Sequence, residues 1–256
     1  MHAADCHDPS WPAKSAPMAF NFKPRRTHAG FGYRFMRFIS RVIIWFLVIS
    51  VGLTVAYRFV PVPVTLTMLF DENGFEKDWT PLSRIDRNMV DAVIAGEDGK
   101  FCSHGGFDRE AIEKAMERNA EGGRLRGGST VSQQTAKNVF LWQGSGWTRY
   151  ARKGLEAWFT LLIETIWSKR RIMEVYLNVA ETGIGTYGVE AGAQRYFGKS
   201  AARLSRSEAA RMAAALPQPK KRAVISPSGF TRRHGNTIAA RIGVVRRDAL
   251  DACIYE

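Results

Sequence analysis

The feature that most constrains this chain is an uncharged apolar run near its N-terminus. From Val42 to Tyr57 the sequence has no Asp, Glu, Lys or Arg, and with its flanks it reaches the roughly 20 residues that a helix needs to cross a bilayer. A buried helix of a globular domain seldom lies beside a basic tail. A cleaved signal peptide totals roughly 15 to 30 residues, whereas about 40 precede this run. The run predicts one transmembrane helix over 38–60.

Basic residues concentrate before the apolar run. Lys14, Lys23, Arg25, Arg26, Arg34, Arg37 and Arg41 stand there against Asp5 and Asp8. Because positively charged flanks remain on the cytoplasmic side, residues 1–37 are predicted to be a cytoplasmic basic tail. Pro61 and Pro63 end the helix, and 61–80 is predicted to be an extracytoplasmic linker. Within it, 61–70 is predicted to be either a short strand or an extended connector.

The chain as a whole is strongly basic, with 37 Lys and Arg, 24 Asp and Glu and a net charge of +13. Such a charge indicates an anionic partner but does not choose among nucleic acid, a membrane surface and a phosphorylated substrate. The segment 236–256 is predicted to be a basic C-terminal tail. A solvated helix and a membrane-surface helix are equally compatible with it.

Beyond residue 80 apolar residues recur with helical spacing, which predicts a mainly α domain over 81–235. The predicted helices are 84–97, 108–120, 130–140, 149–167, 169–179, 187–196 and 205–216.

Glu97 is the strongest candidate for a catalytic base. It shares a predicted helix face with Val90, Val93 and Ile94, at i, i+3, i+4 and i+7. A carboxylate on an apolar face, next to the acidic Asp98, is expected to have a raised pKa and therefore to accept a proton near neutral pH.

A second carboxylate, Glu156, follows Arg152 and Lys153 by one helical turn. Opposite charges keep such a carboxylate ionised. Taken alone, the cluster is more typical of a surface ion-pair trio than of a catalytic group.

A glycine-rich segment lies between the two carboxylates. Residues 122–128 contain four glycines and predict a mobile flap. Thr130 and Gln133 have the spacing of a capping box at the start of the next helix. On that helix Thr130, Gln134, Lys137 and Asn138 form a polar stripe, which is either a solvated face or one wall of a cleft for an anionic ligand.

Five ordered groups of residues resemble the motifs of the peptidoglycan glycosyltransferases, glycosyltransferase family 51. They are Glu97-Asp98-x-x-Phe101-x-x-His104-x-Gly106, Gly128-Ser129-Thr130-x-x-Gln133-Gln134-x-x-Lys137-Asn138, Arg152-Lys153-x-x-Glu156, Lys169-x-x-Ile172-x-Glu174-x-Tyr176-Leu177-Asn178, and Gly185-x-Tyr187-Gly188-Val189-Glu190-Ala191 with Tyr196-Phe197-Gly198. No transpeptidase module follows, as in the monofunctional members. The family commonly has Arg where this chain has Thr148, and Arg149 is the neighbouring candidate for a phosphate contact.

The resemblance implies a lysozyme-like fold and polymerisation of lipid II, the lipid-linked disaccharide pentapeptide of bacterial walls, with release of lipid diphosphate. It implies that Glu97 and Glu156 are catalytic. The substrate-binding residues that it implies are Asp98, Ser129, Thr130, Gln133, Gln134, Lys137, Asn138, Arg149, Arg152 and Lys153. It implies no tightly bound cofactor, and it leaves open a divalent cation such as Mg²⁺ at Glu97 and Asp98.

The expected partners are lipid II, the growing glycan strand and the cytoplasmic membrane, with other wall-synthesis or division proteins left open and nucleic acid not expected. The expected location is the bacterial inner membrane, with a single span, a cytoplasmic N-terminus and a periplasmic catalytic domain. Two other functions compete. A lysozyme-like hydrolase also uses two carboxylates, and a membrane-anchored nucleic-acid or scaffold protein would use the net charge.

Three other residue types are assigned structural roles. His104 is expected to be a hydrogen-bonding loop residue and Phe101 to pack beneath Glu97. Cys102 and Cys253 are expected to be free thiols, although a disulfide between them is an open alternative.

Overall fold

The computed structural model describes residues 31–120, 128–143 and 146–256, apart from the side chains of 118–120. The chain divides into two units, Met1–Trp45 and Phe46–Glu256. The helices are α1 (Phe31–Phe59), α2 (Leu66–Leu69), α3 (Arg87–Glu97), α4 (Arg109–Ala120), α5 (Val131–Phe140), α6 (Thr148–Ile166), α7 (Lys169–Val179), α8 (Val189–Phe197), α9 (Arg206–Ala215), α10 (Gly229–Arg247) and α11 (Ala252–Tyr255). All seven predicted helices are present, with ends within three residues of those expected.

Two layers of helix packing form the core of the larger unit. α5 packs against α6 and α7, and α3 packs against α9 and α10. Ile172, Met173, Val175 and Leu177 of α7 are all inaccessible to solvent. A small sheet covers one end, in the order β1 (Glu76–Lys77), β3 (Thr186–Tyr187) and β2 (Glu181–Gly183).

The helix α1 is the one described helix that is long and apolar enough to cross a membrane. Its last part, within the larger unit, buries Ser50 and Thr54. Trp158 Nε1 donates to Ser50 Oγ at 3.2 Å, and Trp167 Nε1 donates to the Thr54 carbonyl at 2.7 Å. Arg171 donates to the Tyr57 and Val60 carbonyls, which satisfies acceptors left open at the helix end. Residues 46–59 are therefore docked on the domain.

The prediction of a linker over 61–80 is wrong. Met68 is buried in α2, whose first turn is capped by the Thr65 side chain, and Val62 belongs to the core. Residues 76–77 pair with β3. Alternation after the two prolines suggested extended chain, but burial of Met68 and the local cap favour a helical turn.

The C-terminal segment is also not a tail. α10 runs across the expected boundary at residue 235 and buries Ile238, Ile242 and Val245 against α3 and α9. The many arginines around this i, i+4, i+7 stripe concealed it in the sequence. The expectation of free thiols is likewise wrong, because Cys102 and Cys253 form a disulfide with Cα atoms 5.5 Å apart.

Candidate active site

Glu97 is the last residue of α3, and its position follows from the buried face of that helix. Val90, Val93 and Ile94 are completely buried, as the apolar stripe predicted. Glu97 Oε2 accepts a hydrogen bond from Gln134 Nε2 at 3.0 Å, whereas Oε1 is buried and has no partner among the described residues. Burial raises the pKa of Glu97, against opposing effects from Gln134 and Arg222. Glu97 thus has a free acceptor oxygen and raised basicity.

The Asp98 carboxylate forms hydrogen bonds within the protein. It accepts the Val131 backbone N–H at 2.9 Å, at the first turn of α5, and contacts His104 Nε2 at 2.9 and 3.1 Å. Since His104 Nδ1 accepts from the Gly106 N–H at 3.1 Å, the proton on Nε2 is the one donated to Asp98. Asp98 and His104 therefore join the end of α3 to the start of α5.

Glu97 and Asp98 offer a divalent cation one carboxylate oxygen that accepts no hydrogen bond from the described residues, Glu97 Oε1. Both Asp98 oxygens already accept hydrogen bonds, and one Glu97 oxygen accepts from an amide. Mg²⁺ usually binds one or two carboxylates and takes waters or substrate phosphate oxygens as its other ligands. A divalent cation at Glu97 and Asp98 stays a prediction.

The capping box predicted at the start of α5 is confirmed. Thr130 Oγ1 accepts from the Gln133 N–H at 3.1 Å, and Gln133 Oε1 accepts from the Thr130 N–H at 3.1 Å. Thr130 also donates to the Gly106 carbonyl at 2.7 Å. Both side chains are buried and form hydrogen bonds within the protein, so they stabilise the structure of the site. Ser129 is exposed, with its hydroxyl 3.4 Å from Lys153 Nζ.

Part of the polar stripe on α5 lines a cleft of about 890 Å³, whereas Thr130 is buried in the capping box. Of the predicted site residues, Gln134, Lys137 and Asn138 line the cleft. Burial lowers the pKa of Lys137, while Glu156 acts in the opposite direction. Lys137 is therefore a cleft lysine that is largely removed from water.

Glu156 lies on the buried side of α6 and accepts from Lys153 Nζ and, at 3.4 Å, from Arg152 Nη1. Arg152 is buried, and its Nε has no partner among the described residues. Lys153 is half-exposed. The surface ion-pair interpretation is therefore wrong for Glu156 and Arg152. Arg149 is exposed, three and four residues before Arg152 and Lys153, and so shares their face.

Several residues at the site were not predicted from the sequence. Asp71, Glu181 and Lys220 line the cleft, together with Tyr176 and Tyr187, which belong to the fourth and fifth motifs. They come from segments distant in sequence, and only the tertiary fold brings them together.

A second missed group surrounds Lys169. Lys169 donates to Glu164 at 2.8 Å and to the His104 carbonyl at 2.7 Å, and lies over the Phe101 ring. Lys169 belongs to the fourth motif, so that motif was the available signal. Residues 122–127 of the predicted flap lie outside the described residues.

The fold and the site define a helical domain in which a buried carboxylate, Glu97, is hydrogen-bonded to a residue of a cleft that also contains Lys137. The transglycosylase family model matches residues 65–242, and the chain belongs to that family. A biosynthetic peptidoglycan transglycosylase of Caulobacter vibrioides is 51% identical over 229 residues, covering 86% of this chain and 99% of the relative. The relative of the same description in Rhodospirillum centenum is 47% identical over 227 residues, covering 87% and 97%.

A Pseudomonas putida relative with that description is 47% identical over 221 residues, covering 83% of this chain and 89% of its own. These matches confirm the predicted family, the lysozyme-like helical fold and the peptidoglycan glycosyltransferase class of enzyme. They do not assign roles to individual residues.

Proposed function

We propose that the chain joins lipid II units into glycan strands, with Glu97 as the general base. The observation that carries this assignment is the buried Oε1 of Glu97, which has no partner among the described residues, while Oε2 accepts from Gln134 in the lining of the cleft that contains Lys137. The acceptor sugar hydroxyl attacks the anomeric carbon of the donor. Its proton passes to Glu97 as the glycosidic bond forms and the bond to the lipid diphosphate breaks.

The cations stabilise the leaving group. A diphosphate departs with its negative charge, so fixed positive groups contribute more than a proton donor does. Lys137, Arg152 and Lys153 supply that charge, and Arg149 extends it toward the start of α6. Glu156 orients Arg152 and Lys153, to which it is hydrogen-bonded.

Hydrolysis is the competing reaction on a lysozyme-like fold. A glycosidase needs a second carboxyl group that donates a proton to the leaving oxygen. Glu156 instead accepts hydrogen bonds from two cations, an arrangement that favours anion binding. The geometry therefore favours transfer from a diphosphate donor over cleavage of a finished strand.

We place the enzyme in the inner membrane, with the catalytic domain on the periplasmic side. The apolar helix α1 supports a single span, and the basic excess before it supports a cytoplasmic N-terminus. The disulfide between Cys102 and Cys253 gives independent support, because disulfides persist mainly in oxidising compartments.

Purified full-length protein in detergent, incubated with labelled lipid II, tests the reaction. The expected result is a labelled polymer that lysozyme digests to small fragments. Absence of polymer, or breakdown of preformed glycan by the protein alone, would contradict the proposal.

A further inference from the structure

The last nine residues, 248–256, form a C-terminal clasp that lies beyond the family match, which ends at residue 242. We propose that the C-terminal clasp is a positioning element for Glu97, and that the disulfide between Cys253 and Cys102 is required for full turnover. The inference rests on the assignment of Glu97 as the base.

The C-terminal clasp holds the beginning of α3 through non-covalent contacts. Arg87, the first residue of α3, pairs with the buried Asp251 at 2.7 Å, and its guanidinium lies 4.7 Å from the centre of the Tyr255 ring. Arg170 of α7 donates to the Ile254 carbonyl at 3.0 Å, and the Ile254 side chain is buried. These contacts fix the C-terminal clasp on the domain independently of the disulfide.

The same segment holds the chain just beyond the other end of α3 by a covalent bond. Cys102 follows Glu97 by five residues, in the loop 98–106. α3 is therefore bracketed by one segment, through Arg87 at its start and Cys102 after its end. Cys102 and Cys253 are both partly accessible, so a small reductant can reach the bond.

The loop 98–106 determines how α5 meets α3. Asp98 accepts the Val131 N–H, the Gly106 carbonyl accepts from Thr130, and the His104 carbonyl accepts from Lys169. A shift of this loop therefore moves the start of α5, whose Gln134 holds Glu97 Oε2. Displacements of about 1 Å at a reacting group can cost about 10²-fold in rate.

Reversible opening of the disulfide tests the proposal on the full-length protein. Cys6 is first replaced by Ser, so that the bridge is the only source of thiols. A dithiol reductant then passes two electrons and two protons to the bridge, which gives the Cys102 and Cys253 thiols and the cyclic disulfide of the reductant. The excess reductant is removed, and turnover, KM for lipid II and circular dichroism are measured below the thermal midpoint.

The proposal expects kcat to fall about tenfold, with KM changed less than about twofold, the helical signal unchanged and hydrogen exchange faster in 98–106. Reoxidation should restore kcat, and so should dibromobimane, which reconnects the two sulfurs. Monobromobimane, which caps each thiol separately, should not. The double variant Cys102→Ser, Cys253→Ser should match the reduced protein.

A reduced protein with unchanged kcat and unchanged exchange in 98–106 would overturn the proposal, as would a loss of activity that parallels loss of helical signal. Failure of the proposed function would give a different set of results. In that case the oxidised protein makes no polymer, or Glu97→Gln retains full turnover, while hydrogen exchange in 98–106 still reports whether the disulfide holds the loop.

Discussion

Burial shifts the pKa values of the proposed base, Glu97, and of one cation in the cleft, Lys137, in opposite directions. It raises the pKa of Glu97 and lowers the pKa of Lys137, because removal of water disfavours whichever form carries charge. Glu97 must be deprotonated to accept a proton, and Lys137 must be protonated to bind a diphosphate. The pH range in which both are in the active state is therefore narrower than ordinary Glu and Lys would give.

The first prediction follows from these shifts. The plot of kcat/KM against pH should be bell-shaped, with an acid limb above the usual Glu range and an alkaline limb below the usual Lys range. Lys137→Arg should move the alkaline limb upward and leave the acid limb in place, because guanidinium keeps its charge to above pH 12. An alkaline limb that is the same in both proteins would show that Lys137 is not the titrating cation.

At the residue scale the sequence predicted the positions of site residues better than their hydrogen-bond partners. The stripe of Val90, Val93 and Ile94 placed Glu97 at a buried edge, since helical spacing alone determines a face. The hydrogen bonds that His104 and Val131 donate to Asp98 could not be predicted, because they depend on how a loop folds back onto the next helix. Glu156 and Arg152 were mistaken for surface charges for a similar reason, because the depth at which a helix is buried is a tertiary property.

At the element scale, the start of α5 is where local sequence and tertiary structure agree. Thr130 and Gln133 form the capping box that their spacing predicts, and Thr130 also bonds the Gly106 carbonyl. Helical periodicity predicted seven of the helices well, whereas the buried stripe of α10 was not recognised among its arginines. The three strands of two or three residues were not predicted, because such short pairings leave no periodicity in the sequence.

The second prediction concerns that cap. Thr130→Ala should lower the free energy of unfolding by about 1–2 kcal/mol, because it removes a helix cap and leaves a buried carbonyl without its donor. Thr130→Ser should retain most of the stability, and Thr165→Ala, on an exposed part of α6, should lower it less. Urea unfolding followed by circular dichroism provides the comparison. Equal stability of Thr130→Ala and wild type would contradict the cap.

At the scale of the whole molecule, the end of α1 is docked on the domain that holds the cleft. Hydrogen bonds from Trp158, Trp167 and Arg171 to residues 50–60 hold the last part of α1 against the catalytic domain. An anchored site would then meet a lipid-anchored donor at a set height above the bilayer surface. The sequence predicted the span from composition, but not this docking, since polar contacts across helices have no local signature.

The third prediction is the topology. In a chain with Cys6 replaced by Ser, a new thiol at Asp78→Cys should react with a membrane-impermeant maleimide in intact cells. A thiol at Lys14→Cys should react only after the cells are opened. The native pair adds no background while it is oxidised. The reverse labelling pattern would exclude a periplasmic active site.

The central claim is that Glu97 takes the proton during glycan transfer, and the substitution Glu97→Gln tests it most directly. The amide keeps the shape of the side chain but cannot accept the proton, so polymerisation of lipid II should fall about 10²- to 10⁴-fold. Lipid II should still bind, because the cations of α5 and α6 are untouched, and Glu117→Gln on the exposed face of α4 should behave as wild type. Wild-type turnover by Glu97→Gln in the same assay would contradict the account.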